Sequence, residues 1–192
     1  MTTKHYDIVI IGGGPVGMAV TLALQESDLS ILQLEARNLP EKDEDPRPLA
    51  LSHGSRLILE RLGVWKKLPA KTPITKIHIS NQRGFGRTFL TKDDANVPAL
   101  GYVVNFHALF QSMHALLKHH NGDYLAGAKV TKFATSTNQG QVDFKYNNET
   151  RKITAKLLVL ADGGRLAGQV EDINYHVHEY QQWAIVANIK AR

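Results

Sequence analysis

The stretch Ile8-Val9-Ile10-Ile11-Gly12-Gly13-Gly14-Pro15-Val16-Gly17 decides the fold. An apolar run enters a glycine turn, and a helical segment, Val16 to Glu26, leaves it. A second apolar run, Leu29 to Leu34, follows and ends at Glu35. Strand, glycine turn, helix, strand and acid form the dinucleotide-binding fingerprint in its required context. Gly12 is expected to let the chain turn sharply out of the strand. Gly14 lets a pyrophosphate approach the backbone, and Gly17 lets the helix pack close. Free amides at the helix start, reinforced by the helix dipole, suit the pyrophosphate anion. Glu35 stands where a carboxylate can accept from ribose hydroxyls, and its charge disfavours a 2′-phosphate. The fingerprint alone does not separate NAD from FAD.

Working outward, the 192 residues suffice for one large domain or one and a half. A hydrophobic content of 43% is ordinary for a globular core. No apolar run reaches the length of a membrane span, and glycines interrupt the first one where a signal peptide would continue. The expected location is therefore cytoplasmic. With no cysteine, thiolate catalysis, disulfides and Cys-based metal sites are excluded. The net charge of +5 is scattered rather than gathered into a basic helix or stripe, so no nucleic-acid partner is expected. A basic face toward an anionic membrane remains open.

Downstream, Asn38 to Pro48 reads as a polar loop with an acidic cluster, Glu41 to Asp45, and Arg47 between two prolines. Ser52 can cap a helix whose apolar positions are Leu57, Ile58, Leu59 and Leu62 and which Gly63 ends. Lys76 to Ser80 and Arg87 to Leu90 read as half-exposed strands around the turn Asn81 to Gly86. Phe106, Leu109, Phe110, Met113, Leu116 and Leu117 give a helix one apolar face, with Asn105 as its cap and Asn121-Gly122 at its end. Lys129 to Ala134, Gln141 to Tyr146 and Arg151 to Lys156 alternate as a β-meander. It runs into Leu157-Leu158-Val159-Leu160-Ala161, an apolar run of the kind found in buried parallel strands. Asp162-Gly163-Gly164 then lies beyond the carboxyl end of a strand, where open α/β sheets bind ligands. In the tail, His176 and His178 share one strand face and Trp183 to Ile189 reads as a further strand. The nine histidines, including His119 and His120, lack metal-ligand spacing, and no serine sits in a nucleophile elbow. Any redox chemistry would be carried by a cofactor.

Several of these stretches together resemble a known family. They are Tyr6 to Gly17, Leu34-Glu35-Ala36-Arg37, Arg47-Pro48-Leu49-Ala50-Leu51-Ser52 through Gly54-Ser55 to Leu59-Glu60-Arg61-Leu62-Gly63-Val64-Trp65, Ile77 to Ser80, Gly101 to Val104, and Ala161-Asp162-Gly163. They are similar to the flavin-dependent aromatic hydroxylases, and within them to the ubiquinone-biosynthesis hydroxylases. The tail Glu179 to Asn188 resembles the type that hydroxylates 2-polyprenyl-6-methoxyphenol. The resemblance implies an α/β fold: a Rossmann-like FAD-binding domain, with a parallel sheet and β-meander, plus the start of a mixed-sheet substrate domain. Residues 1–75 and 101–170 would form the first, and 76–100 and 171–192 the incomplete second.

The resemblance also implies FAD as cofactor and NAD(P)H as electron donor. Gly12, Gly14, Pro15, Val16 and Gly17 would hold the FAD pyrophosphate, and Glu35, with Ala36 and Arg37, the adenosine ribose. Arg47 would match the family's flavin-contacting arginine, Val130 an adenine contact through its backbone, and Asp162 the family's aspartate-glycine motif. Reduced flavin and molecular oxygen would hydroxylate a polyprenylated phenol. Other quinone-biosynthesis proteins and peripheral contact with the inner membrane face are conceivable partners. Gly164-Arg165 stands where the family usually shows a serine, a departure from the motif that the family links to pyridine-nucleotide handling. The chain is expected to be about half of such an enzyme and inactive alone. A non-catalytic nucleotide-binding remnant or accessory subunit, or an NAD-binding reductase module, are the alternatives.

Overall fold

The two apolar runs of the fingerprint become neighbouring parallel strands in the computed structural model, which describes residues 4–38, 47–81, 84–117, 123–170, 173–174 and 176–183. β1 (Lys4–Ile11) pairs with β2 (Ile31–Glu35) from Ile8 opposite Ile31 to Ile11 opposite Leu34. α1 (Pro15–Ala23) makes the crossover between them. Val9 and Ile10 are fully buried, as expected of a strand covered on both faces.

Five strands and a helix come next: β3 (Pro48–Ser52), then α2 (His53–Arg61), β4 (Thr72–Ile74), β5 (Lys76–Ser80), β6 (Arg87–Thr91) and β7 (Gly101–Asn105). After them come α3 (Phe106–Leu117), β8 (Asp123–Ala126), β9 (Lys129–Thr135), β10 (Gly140–Tyr146) and β11 (Glu149–Leu160). The main sheet has the order β8-β2-β1-β11-β10-β9. β8, β2, β1 and β11 run parallel, and β11, β10 and β9 form the antiparallel meander.

β11 belongs to both halves. Its first part pairs antiparallel with β10, and from Ile153 onward it pairs parallel with β1, from Lys4 opposite Ile153 to Ile11 opposite Leu160. The expected meander strand and the apolar run after it are thus one strand. The run is less buried than expected, with Leu157 54% exposed. β10 reaches only as far as Gly140, opposite Ala155, so Leu157 to Leu160 pair on one side alone.

Residues that the sequence pattern assigns to no strand form a second, antiparallel sheet of order β3-β7-β4. It supports α2 and α3. Met18 and Leu22 of α1, Leu59 of α2, Val64, Trp65 and Leu68, Val104 of β7, and Leu109, Phe110, Met113 and Leu117 of α3 make one core cluster. Leu57 and Ile58, expected as apolar positions of α2, are instead exposed. Ser52 caps α2, its Oγ accepting from Ser55 N at 3.1 Å, and Asn105 caps α3, its Oδ1 accepting from Ala108 N at 2.9 Å.

Among the described residues β5 and β6 pair only with each other, and Ile77, Ile79, Phe89 and Leu90 are exposed on the hairpin. His176 and His178 lie in chain without regular structure rather than on a strand. The expected acidic cluster Glu41 to Asp45, His119, His120, Asn121-Gly122, part of the turn Asn81 to Gly86, and all of the expected last strand except Trp183 fall outside the described residues. Among the described residues no helix is long and apolar enough to cross a membrane.

Candidate cofactor site

The carboxyl ends of β1, β2 and β11 open into one cleft of about 400 Å³, a volume suited to a single small ligand. The loop after β1 forms its floor. Gly12 leaves the strand at φ +117°, and a Cβ there would sit 2.3 Å from the Ala161 carbonyl oxygen. Only glycine permits both the left-handed turn and that approach. Gly17 lies against the loop from the helix side, where a Cβ would be 2.1 Å from the Gly12 oxygen.

Gly14 is different. Its φ of −75° is open to any residue, and a Cβ there would meet nothing within 4 Å. No packing within the described chain requires glycine here. A Cβ would instead occupy the mouth of the cleft, directly before the start of α1. No side chain caps α1, Pro15 has no N–H to leave unpaired, and the N–H groups of Val16 and Gly17 have no acceptor within the helix. An uncapped helix start beside a side-chain-free backbone fits the pyrophosphate of a dinucleotide.

Glu35 borders the same cleft and is 7% exposed. Its Oε2 accepts from Gly13 N at 2.6 Å, and its Oε1 accepts from Arg37 N at 2.8 Å and Arg37 Nε at 2.9 Å. Burial works against ionisation of this carboxyl. The hydrogen bonds from the Arg37 side chain, Arg37 N and Gly13 N together outweigh it and hold Glu35 below the usual carboxylate range. Charged at neutral pH, Glu35 keeps lone pairs for a ribose hydroxyl.

Of the expected site residues, Gly12, Gly14, Pro15, Val16, Glu35, Ala36, Arg37, Val130 and Asp162 all line the cleft. Gly17 acts from behind the loop. Arg47 lies at the head of β3, its guanidinium over the Phe106 ring at 5.3 Å, and is not among the lining residues. The Asp162 carboxylate holds its own turn, accepting from Gly164 N at 3.0 Å and Leu166 N at 2.7 Å.

Sequence reasoning missed other parts. Lys129 and Arg165 add positive charge to the cleft, which scattered cations do not announce. Gly13 also has to be glycine: a Cβ would lie 2.5 Å from the Tyr124 hydroxyl and 2.6 Å from Glu35 Cβ. The Tyr124 hydroxyl is buried without a hydrogen-bond partner, and burial, then the Glu35 charge, pushes its pKa up to about 12. Gln33, fully buried in β2, donates from Nε2 to the Gly12 oxygen at 2.9 Å and accepts from Thr21 Oγ1 at 2.8 Å. Its signal was available, as an amide interrupting an otherwise apolar run.

Comparison with known proteins agrees with this geometry. Residues 5–190 match the family described as FAD binding domain. Ubiquinone hydroxylase UbiM of Neisseria meningitidis is 28% identical over 97% of this chain and 42% of its own length. The 3-demethoxyubiquinol 3-hydroxylase of Escherichia coli is 25% identical over 99% of this chain and 50% of its own. The chain thus spans half or less of these relatives. In fold it is similar to p-nitrophenol 4-monooxygenase PnpA of Pseudomonas putida, with a TM-score of 0.71 at 15% identity over 88% of this chain and 44% of that one. Since the match takes in nearly the whole sequence, the chain belongs to the FAD binding domain family, and FAD is its cofactor.

Proposed function

We propose that this chain is the FAD-binding part of an FAD-dependent monooxygenase that hydroxylates a polyprenylated phenol in ubiquinone biosynthesis. The observation that carries the cofactor end of the reading is Gly14, a glycine that nothing in the described chain demands, at an uncapped helix start beside the Glu35 carboxylate. The relatives named as ubiquinone hydroxylases support the substrate class. On this reading Gly14, Val16 and Gly17 hold the pyrophosphate, and Glu35, flanked by Ala36 and Arg37, takes the ribose. Val130 presents its backbone to adenine, and Asp162 keeps the turn that closes the cleft. Arg47 serves the flavin side from outside it.

Bound FAD would supply the redox chemistry with oxygen, with NAD(P)H as electron donor. This chain's share is to bind and orient the cofactor, and by itself it would not turn over. Residues 1–75 and 101–170 would be the FAD-binding domain, and 76–100 with 171–192 the start of the substrate domain. The exposed Ile77, Ile79 and Leu90 on the β5–β6 hairpin suit such an unfinished sheet.

Two measurements test the reading. The purified chain, stripped of flavin, should bind FAD with quenching of its fluorescence. A chain stabilised by NADH and indifferent to FAD would overturn the cofactor assignment. An enzyme carrying this chain as its FAD-binding part should add one oxygen atom to a polyprenylated phenol, read by mass spectrometry. A reductase outcome, with hydrogen added and no oxygen gained, would overturn the hydroxylase assignment.

A further inference from the structure

The carbonyl of Gly12 and the N–H of Gly13 are the two ends of one peptide group, and β2 holds both. Gln33 Nε2 donates to the Gly12 oxygen at 2.9 Å, while Gly13 N donates to Glu35 Oε2 at 2.6 Å. Gln33 and Glu35 are two apart on one strand, so their side chains leave β2 on the same face. Thr21 Oγ1 of α1 donates to Gln33 Oε1 at 2.8 Å, with the Gly17 carbonyl oxygen 3.1 Å away as its other acceptor, and the Gly12 carbonyl, which can only accept, fixes which end of the amide points at the loop. Gln33 is fully buried, and its two hydrogen bonds place it in the hinge between α1, β2 and the loop.

We propose that Gln33 is a positioning residue for FAD binding: with Glu35 it locks the Gly12–Gly13 peptide, so that the loop is set for the pyrophosphate before the cofactor arrives. The proposal deepens the FAD reading above and rests on it. A glycine-rich loop has many backbone conformations to lose, and holding it in the binding one lowers the entropy that binding must overcome. The lock also divides the labour among amides. Gly13 N–H is committed to Glu35, whereas the N–H groups of Val16 and Gly17 have no acceptor within the helix and are left for phosphate. Glu35 therefore braces the loop with Oε2 and is itself held by Arg37 N and Nε at Oε1, which leaves a second lone pair on Oε2.

The test is FAD affinity in two variants, with the unmodified chain as reference. The first is the double variant Thr21→Val with Gln33→Leu. It removes donor and acceptor together, so no hydroxyl is stranded. If Gln33 served stability alone, affinity would follow folded stability. The lock predicts a Kd about tenfold higher, equal to about 1.4 kcal/mol, even after correction for the fraction folded.

The second variant is Gln33→Glu. Buried, its carboxyl has a raised pKa. Protonated, it can donate to the Gly12 oxygen as the amide does; ionised, it repels that oxygen. Affinity should match the unmodified chain at low pH and fall about tenfold as pH rises, with no such step in the unmodified chain, where Glu35, Arg37 and Tyr124 are the same. In the unmodified chain, the Gly13 amide proton should exchange slowly and keep its NMR shift when FAD is added. Unchanged affinity in the double variant, no added pH step in Gln33→Glu, or a Gly13 amide that shifts as though handed to phosphate would each overturn the lock. If the unmodified chain does not bind FAD, the FAD reading itself fails.

Discussion

Gly12 and Gly14 stand two positions apart and are glycines for opposite reasons. Gly12 is fixed by the chain, through its φ of +117° and the Ala161 carbonyl 2.3 Å from where a Cβ would be. Gly14 is free of the chain, with an ordinary φ and open space. The two substitutions to alanine should therefore separate folding from binding. Gly12→Ala combines backbone strain of about 1–3 kcal/mol with a clash against backbone that cannot move aside. Its unfolding midpoint should fall clearly, and FAD binding with it. Gly14→Ala exchanges one helix cap for a poorer one and should keep stability within about 1 kcal/mol. Its FAD affinity should nonetheless drop by tenfold or more, because the new methyl group occupies the mouth of the cleft. Urea unfolding and flavin titration of both variants check this. Equal FAD affinity in Gly14→Ala and the unmodified chain would mean that the pyrophosphate does not cross that backbone.

At the scale of elements, local signals were legible and long-range pairing was not. The caps illustrate the first case. Ser52 was readable as the start of α2 because an N-cap needs only residues within one turn, and its Oγ accepts from Ser55 N. Ser52→Ala should destabilise the chain by about 1 kcal/mol in urea unfolding and leave FAD affinity unchanged, since Ser52 is not among the lining residues of the cleft. A change in affinity without a change in stability would put α2 in the site. The second case is β3. Pro48-Leu49-Ala50-Leu51-Ser52 is short and begins with proline, and it becomes a strand only because Gly101–Asn105 lies alongside, with Pro48 opposite Asn105. That partner is remote in sequence, so no local period announces it. β11 shows the same limit: alternation and apolar run looked like two elements, and only the shared partner β1 makes them one. Within the site, Glu35 and the glycines were legible because the fingerprint fixes their spacing. Gln33 stood out only as an amide in an apolar run, and its task was not legible because it depends on the folded position of a carbonyl; Lys129 and Arg165 reach the cleft only through the meander and the β11 turn.

For the whole molecule, the cleft gathers groups from across the main sheet: the loop after β1, the end of β2, the start of β9 and the turn after β11. A ligand held there adds contacts to elements already joined by backbone pairing and by the shared core of Val9, Leu32, Val130 and Ile153, and it binds the folded state alone. At one hundred times its Kd, FAD should stabilise the chain by about 2.7 kcal/mol. For a chain of this size that corresponds to a rise of roughly 5–10 °C in Tm. The distribution of lining residues also makes the two halves of FAD unequal. Glu35, Val130 and the start of α1 all belong to the cleft and suit ribose, adenine and pyrophosphate, whereas Arg47, matched to the flavin side, lies outside it. ADP should therefore compete with FAD and raise Tm by itself, while FMN at the same concentration should do neither. Thermal scans with each ligand decide the matter. FMN stabilising the chain more than ADP would reverse the orientation of the dinucleotide assigned here, and equal stabilisation by both would remove the preference for the adenylate end.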